Sequence, residues 1–163
     1  MRLPRRVGEA ASAGSTRDGS RMARRKAETA VAESEVSPKR AAQLASAKKL
    51  ALAIAEAGLD RKALNVEIID VAGKVDYADY VVVMSGRSDR QVSALAKNLE
   101  GDVEAKTRAR CLSVEGLPQA SWVLMDFGDV IVHIFHEDTR GYYDLESLWI
   151  DATRVPVAEA EPR

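Results

Sequence analysis

The sequence predicts an α/β protein, one compact sandwich with a mixed, roughly five-stranded sheet and flanking helices. Three observations carry this. Apolar residues recur at helical spacing in two segments, and five short segments are rich in β-branched residues, with turn-forming Gly and Asp between them. All eight aromatic residues lie between Tyr77 and Trp149, so the core belongs to the later part of the chain.

Order is expected to begin near Ala42. Leu44, Ala47, Leu50, Ala51, Ile54 and Ala55 mark one helical face, with Gly58 as a stop signal. Asn65 to Val71 reads as a strand ended by Gly73. Asp79 to Ser85 reads as a second strand, apolar on both faces as a central strand is. The turn Gly86-Arg87-Ser88-Asp89 follows, with Ser88 as N-cap of a helix marked by Val92, Leu95, Ala96, Leu99 and Val103 and running to about Thr107. Strands are expected at Arg110 to Val114, Ser121 to Asp126 and Val130 to Phe135, the last two joined by a hairpin at Phe127-Gly128-Asp129. Tyr142 to Trp149 reads as one short closing helix.

Composition narrows the function classes. A chain of 163 residues suits one domain. A lone cysteine, Cys111, excludes an internal disulfide, and two histidines with one cysteine leave too few soft ligands for structural zinc. No apolar run is long enough to span a bilayer. The net charge of −1 hides a sharp division: residues 1–50 hold 12 Lys/Arg against 5 Asp/Glu, and residues 51–163 hold 12 against 20. Residues 1–41 therefore read as a disordered basic extension, 42–155 as the α/β domain and 156–163 as a flexible tail. For the extension three readings stay open: a solvated bacterial arm, an Arg-rich organelle transit peptide, or an arm that contacts nucleic acid. The acidic domain itself repels a phosphate backbone, so no direct nucleic-acid binding is expected of it.

Few patterns point to catalysis. Gly86-Arg87-Ser88 sits where a strand meets a helix and could cradle a phosphate, but it lacks the glycine count and lysine of a P-loop. A tight turn with a helix cap is the better reading. Asp126 and Asp129 flank a turn and are three apart, which fits turn chemistry better than a shared metal. His133 and His136 point to opposite faces of their strand, and His133 is expected to be partly buried with one or two hydrogen bonds. No nucleophile–base–orienter set assembles. Neither enzyme activity, nor a cofactor, nor a metal is expected. More informative is one strand face holding Trp122, Leu124 and Asp126, with Tyr142 and Tyr143 nearby. Two adjacent tyrosines cannot both bury against one surface of a helix, so one is available to a partner. Core filling by Trp122 and the tyrosines remains the competing reading.

Five ordered motifs give this sequence a wider identity: Asp79-Tyr80-Val81-Val82-Val83, Ser85-Gly86-Arg87-Ser88-Asp89-Arg90-Gln91, Val114-Glu115-Gly116, the run from Trp122 to Phe135, and Arg140-Gly141-Tyr142-Tyr143-Asp144-Leu145-Glu146-Ser147-Leu148-Trp149. Together they resemble the Iojap-like family, the ribosomal silencing factors, over roughly Ala42 to Val155. The resemblance implies a fold similar in shape to nucleotidyltransferases without their activity. It also implies binding to the large ribosomal subunit through that subunit's ribosomal protein fourteen, so that the small subunit cannot join and translation is repressed. Carried over, the contact surface falls on Trp122 and Tyr143, with Leu124, Tyr142, Asp126 and Glu115 around them. Ser147 stands where many members have a basic residue, and Phe127 where Tyr is more usual, losing a hydroxyl at the expected contact. Bacterial cytoplasm is the expected compartment, with an organelle matrix as the alternative. A homodimer off the ribosome, a large-subunit assembly role of the organelle type, and a nucleotide-binding enzyme are the other readings the sequence leaves open.

Overall fold

The computed structural model describes residues 36–158, and the expectations for the basic extension up to residue 35 and for residues 159–163 lie outside the described residues. Helix α1 spans Pro38–Asp60. It starts before Ala42 because Ser37-Pro38 is itself a start signal: the Ser37 hydroxyl accepts from Arg40 N at 3.1 Å, and proline sits at the first helical position. It also ends later than Gly58. Lys62 takes the left-handed conformation (φ 63°), while Ala63 N bonds Gly58 O and Lys62 N bonds Leu59 O, a Schellman closure. Gly58 instead answers a packing need, since a Cβ there would lie 2.7 Å from the terminal methyl of Met84.

Strand β1 (Leu64–Asp70) pairs antiparallel with β2 (Tyr80–Gly86), every residue of which is buried. Helix α2 (Asp89–Thr107) follows the expected cap. Ser88 Oγ accepts from Gln91 N at 3.1 Å, and Gln91 Oε1 reaches back to accept from Arg87 N at 2.7 Å, the residue before the cap, in a variant of the capping box. Strand β3 (Ser113–Glu115) is shorter and later than expected, and β4 (Trp122–Asp126) and β5 (Val130–His136) form the hairpin. Its turn is closed by Phe127 N on Val130 O, with Gly128 at φ 93°.

The expected closing helix is two pieces. Helix α3 (Glu137–Tyr143) ends at Asp144, which is left-handed at φ 45°, and a 3₁₀ turn covers Leu145–Trp149. A two-residue strand β6 (Arg154–Val155) then pairs with β1, a sixth strand that composition did not reveal. The sheet order is β3-β4-β5-β2-β1-β6, mixed because β5 runs parallel to β2 and the other pairs are antiparallel.

The sheet separates two apolar clusters. On one side Ile68, Val82, Met84, Val123, Met125, Val132 and Ile134 meet Ala51, Ile54 and Ala55 of α1 and Val92, Leu95, Leu99 and Val103 of α2. Phe127 is buried on this helix-covered side, so the hydroxyl it lacks is not missing from the face described next. On the other side Ile69, Val71, Val81, Val83, Trp122, Ile131 and Phe135 pack with Trp149 and Ala152, partly roofed by Tyr143 and Leu145.

Candidate functional site

The second sheet face is where the expected contact residues gather. β4 alternation points Trp122, Leu124 and Asp126 to it, and β3 places Glu115 opposite Leu124. Across β5, Trp122 stands opposite Phe135 and Leu124 opposite His133. The aromatic rings form a ladder from core to surface. The Trp122 ring lies 4.7 Å from Phe135 and 4.9 Å from Tyr143, and Tyr142 meets Tyr143 edge-on at 5.0 Å. Exposure rises along it: Trp122 is 2% exposed, Tyr143 half-buried and Tyr142 82% exposed.

Trp122 is thus a core residue, contrary to its expected place as the central surface anchor. Alternation assigns a side chain to a face but does not say whether α3 lies over that face. The indole supports the rings above it, and its Nε1 donates to His133 Nδ1 at 3.0 Å. His133, expected to be partly buried, is 6% exposed, and burial pushes its pKa down to about 4, so it is neutral at pH 7 and accepts the indole proton. The adjacent glycine loop is tight. Gly116 has φ 105°, and a Cβ there would meet the Trp122 carbonyl oxygen at 2.1 Å.

The remaining expected residues sit nearer the rim. Leu124 is half-buried and Glu115 exposed. Half-buried Asp126 accepts from Gly128 N at 2.7 Å, the turn chemistry expected of it. Leu148 and Ile150, beyond Tyr143 in sequence, are 66% and 82% exposed.

Sequence reasoning missed what holds α3 down. Arg140 donates from Nε to Glu146 at 2.5 Å, from Nη1 to Asn65 O at 2.6 Å and Ser85 Oγ at 2.9 Å, and from Nη2 to Glu67 at 3.3 Å. Its guanidinium ties α3 to β1 and β2 across more than fifty residues of chain, a relation with no local signal. Arg154 adds bonds to the carbonyl oxygens of Trp149, Ala152 and Glu146.

Other sites considered in the sequence resolve simply. At Gly86-Arg87-Ser88 the Arg87 amide donates to Gln91 Oε1 and the Ser88 hydroxyl oxygen accepts from Gln91 N, so the turn serves as the α2 cap. His136 caps α3, its Nδ1 accepting from Asp138 N at 3.2 Å. Cys111 is half-buried, its thiol pKa pushed up by burial. Among the described residues no three His, Cys, Asp or Glu side chains gather as metal ligands, and no helix is long and apolar enough to cross a membrane.

The geometry defines a small α/β domain with an incompletely roofed, aromatic-backed sheet face. Comparison with known proteins agrees with this class and narrows it. Residues 44–163 match the family model described as "Ribosomal silencing factor during starvation". The chain is 47% identical over 90 residues to "Ribosomal silencing factor RsfS" of Zymomonas mobilis, covering 55% of this chain and 67% of that one. It is 39% identical over 115 residues to the protein of the same name from Bacillus subtilis, covering 70% and 94%. A crystal structure of a Chromobacterium violaceum protein superposes with a TM-score of 0.61 at 29% identity, covering 70% of this chain and 93% of that one. The chain belongs to the RsfS family of ribosomal silencing factors.

Proposed function

We propose that this chain docks on the large ribosomal subunit through ribosomal protein fourteen and sterically prevents the small subunit from joining, so repressing translation. It acts by binding and bulk, without catalysis, in a bacterial cytoplasm. The single observation that carries the reading beyond family membership is the aromatic ladder: Tyr142 is open to a partner while Trp122 and Tyr143 hold it rigid from below. Rigid aromatic side chains bury large area at low entropy cost. The contact comprises Tyr142, Tyr143 and Leu124, with Glu115 and Asp126 at the rim and Trp122 as its support. An interface of roughly 800 Å² per partner suffices for specific binding. The acidic balance of residues 51–163 favours encounter with a basic ribosomal protein. Off the ribosome the same face pairs two copies, in competition with the subunit.

Co-sedimentation with separated ribosomal subunits, followed by a subunit-joining assay, tests this. Binding to the large subunit alone with joining suppressed is the expected result. Binding without suppression would indicate an assembly role, and absence of binding would end the reading. Tyr142→Ala is the variant of choice, because an exposed ring can be removed with little effect on folding. It is expected to lower large-subunit affinity about thirty-fold, equivalent to about 2 kcal/mol. Unchanged affinity in the folded variant would displace the contact from this face. Trp122→Ala is less informative, since truncating a buried Trp costs about 3–5 kcal/mol of stability.

A further inference from the structure

We propose that Arg140 is a positioning residue for docking: turned inward beneath α3, it fixes the segment 137–152 in the shape that meets the large subunit, without itself touching the partner. It does so for docking through the aromatic face, the reading on which this inference rests. The segment presents Tyr142, Leu148 and Ile150, three of the six large apolar side chains exposed among the described residues. An apolar surface on a segment that cannot hold its own shape loses affinity to the cost of ordering it. The helix α3 is such a segment. It has seven residues, buries none of them and carries Gly141 within it. Glycine weakens a helix, and packing does not call for it here, since a Cβ at Gly141 would meet nothing within 4 Å.

What the helix lacks locally, the sheet supplies. The β1–β2 pairing sets Leu64 opposite Ser85 and Glu67 opposite Val83, so Asn65 and Val66 together face Met84, a β-bulge. Asn65 takes the left-handed conformation there (φ 48°), and its carbonyl oxygen is the one that accepts from Arg140 Nη1. The hydroxyl of the fully buried Ser85 and the Glu67 carboxylate complete a socket of three acceptors on β1 and β2. With Nε on Glu146, all three guanidinium nitrogens point inward, and only 12% of the side chain is exposed. A guanidinium so engaged has little left to offer a partner. Glu67 also lies 4.0 Å from Arg154 Nε, and Arg154 Nη1 donates to the carbonyl oxygens of Trp149 and Ala152. One carboxylate therefore joins the clasp on α3 to the clasp on the turn that carries Leu148.

The test measures large-subunit affinity of the full chain for Arg140→Lys, Gly141→Ala, their double variant and Tyr142→Ala, with folding verified by circular dichroism. Lysine keeps the charge but not the planar fork. The expected loss is about ten-fold, as when about a tenth of the molecules hold the segment in place. Gly141→Ala favours the helical form about five-fold and leaves the socket untouched. Measured against Gly141→Ala alone, the loss from Arg140→Lys should therefore shrink to about three-fold. The same loss with and without Gly141→Ala would make Arg140 a direct contact and overturn the proposal. No loss in Arg140→Lys beside a loss in Tyr142→Ala would also overturn it, and would leave the docking reading standing. No loss in either would end the docking reading and this inference with it. Should Arg140→Lys not fold, Glu67→Gln takes its place, keeping an acceptor without the charge; about a three-fold loss is expected, and unchanged affinity would overturn the proposal. Hydrogen exchange of the free chain needs no ribosome. Amides of 137–149 should exchange about ten-fold faster in Arg140→Lys and regain protection with Gly141→Ala, and unchanged exchange would refute the clasp whatever the subunit binding shows.

Discussion

At the scale of single residues the proposed docking face depends on a neutral imidazole. His133 sits between Leu124 and the Trp122 indole, and its Nδ1 must stay unprotonated to accept from Nε1. Its folded pKa is about 4 against 6.5 for the free side chain, with burial as the cause. Below pH 6.5 the unfolded chain therefore binds a proton that the folded chain refuses, and stability falls as pH drops toward 4 by about 1.4 kcal/mol per unit. Above pH 6.5 the histidine contributes no pH dependence. Urea unfolding at pH 7 and pH 5 should show the wild type losing about 2 kcal/mol more than His133→Gln, which keeps an acceptor but does not titrate. An equal loss in both would mean that the imidazole is solvated. The facing of His133 and Trp122 was legible in the sequence because strand alternation is local. Their depth was not, because it depends on α3 folding back over them.

Between residue and domain, the least self-sufficient element is α3. It has seven residues, none buried, and is too short to persist alone. Two contacts fix it, Tyr143 on Trp122 and Arg140 on the carboxylates, the Asn65 carbonyl of β1 and the Ser85 hydroxyl of β2. Arg140→Met would leave Glu146 half-buried and unpaired and is expected to cost about 2–3 kcal/mol, allowing for the greater exposure of Glu67. Hydrogen exchange should then speed in 137–149 while α2 amides remain protected. Uniform acceleration everywhere would show that α3 is integral to the cooperative core. The contrast with α2 explains what sequence reading can and cannot reach at this scale. Ser88 and Gln91 lie three residues apart and announce their helix, whereas Arg140 finds Ser85 and Asn65 only in three dimensions. Likewise Asp144 breaks the closing helix through a left-handed backbone that its residue type permits but does not demand.

Across the whole molecule both sheet faces carry buried apolar clusters, and the proposed docking surface lies over one of them while α1 and α2 cover the other. Leu95 belongs to the helix-covered cluster, away from the aromatic ladder. Leu95→Ala is expected to cost about 3 kcal/mol of stability and to leave large-subunit affinity of the folded protein unchanged, the converse of Tyr142→Ala. Calorimetry with subunit pelleting checks both halves. Five of the six strands, the β4–β5 hairpin and the α/β class were readable because each rests on local periodicity or turn chemistry, whereas the two-residue β6 is too short to show a period. The strand order was not, since β2 and β5 are brought side by side by no local rule. That parallel pair also governs when the protein comes into being. Tyr80 pairs with Val130 and Gly86 with His136, each bond spanning fifty positions of chain, and this seam alone joins β3–β4–β5 to β2–β1–β6. Closing so long a loop precedes the reward of pairing, which makes folding of this sheet slow relative to its helices. A growing polypeptide that has not yet reached residue 130 therefore has no seam, and with no seam it lacks the surface proposed to bind the machine that is making it.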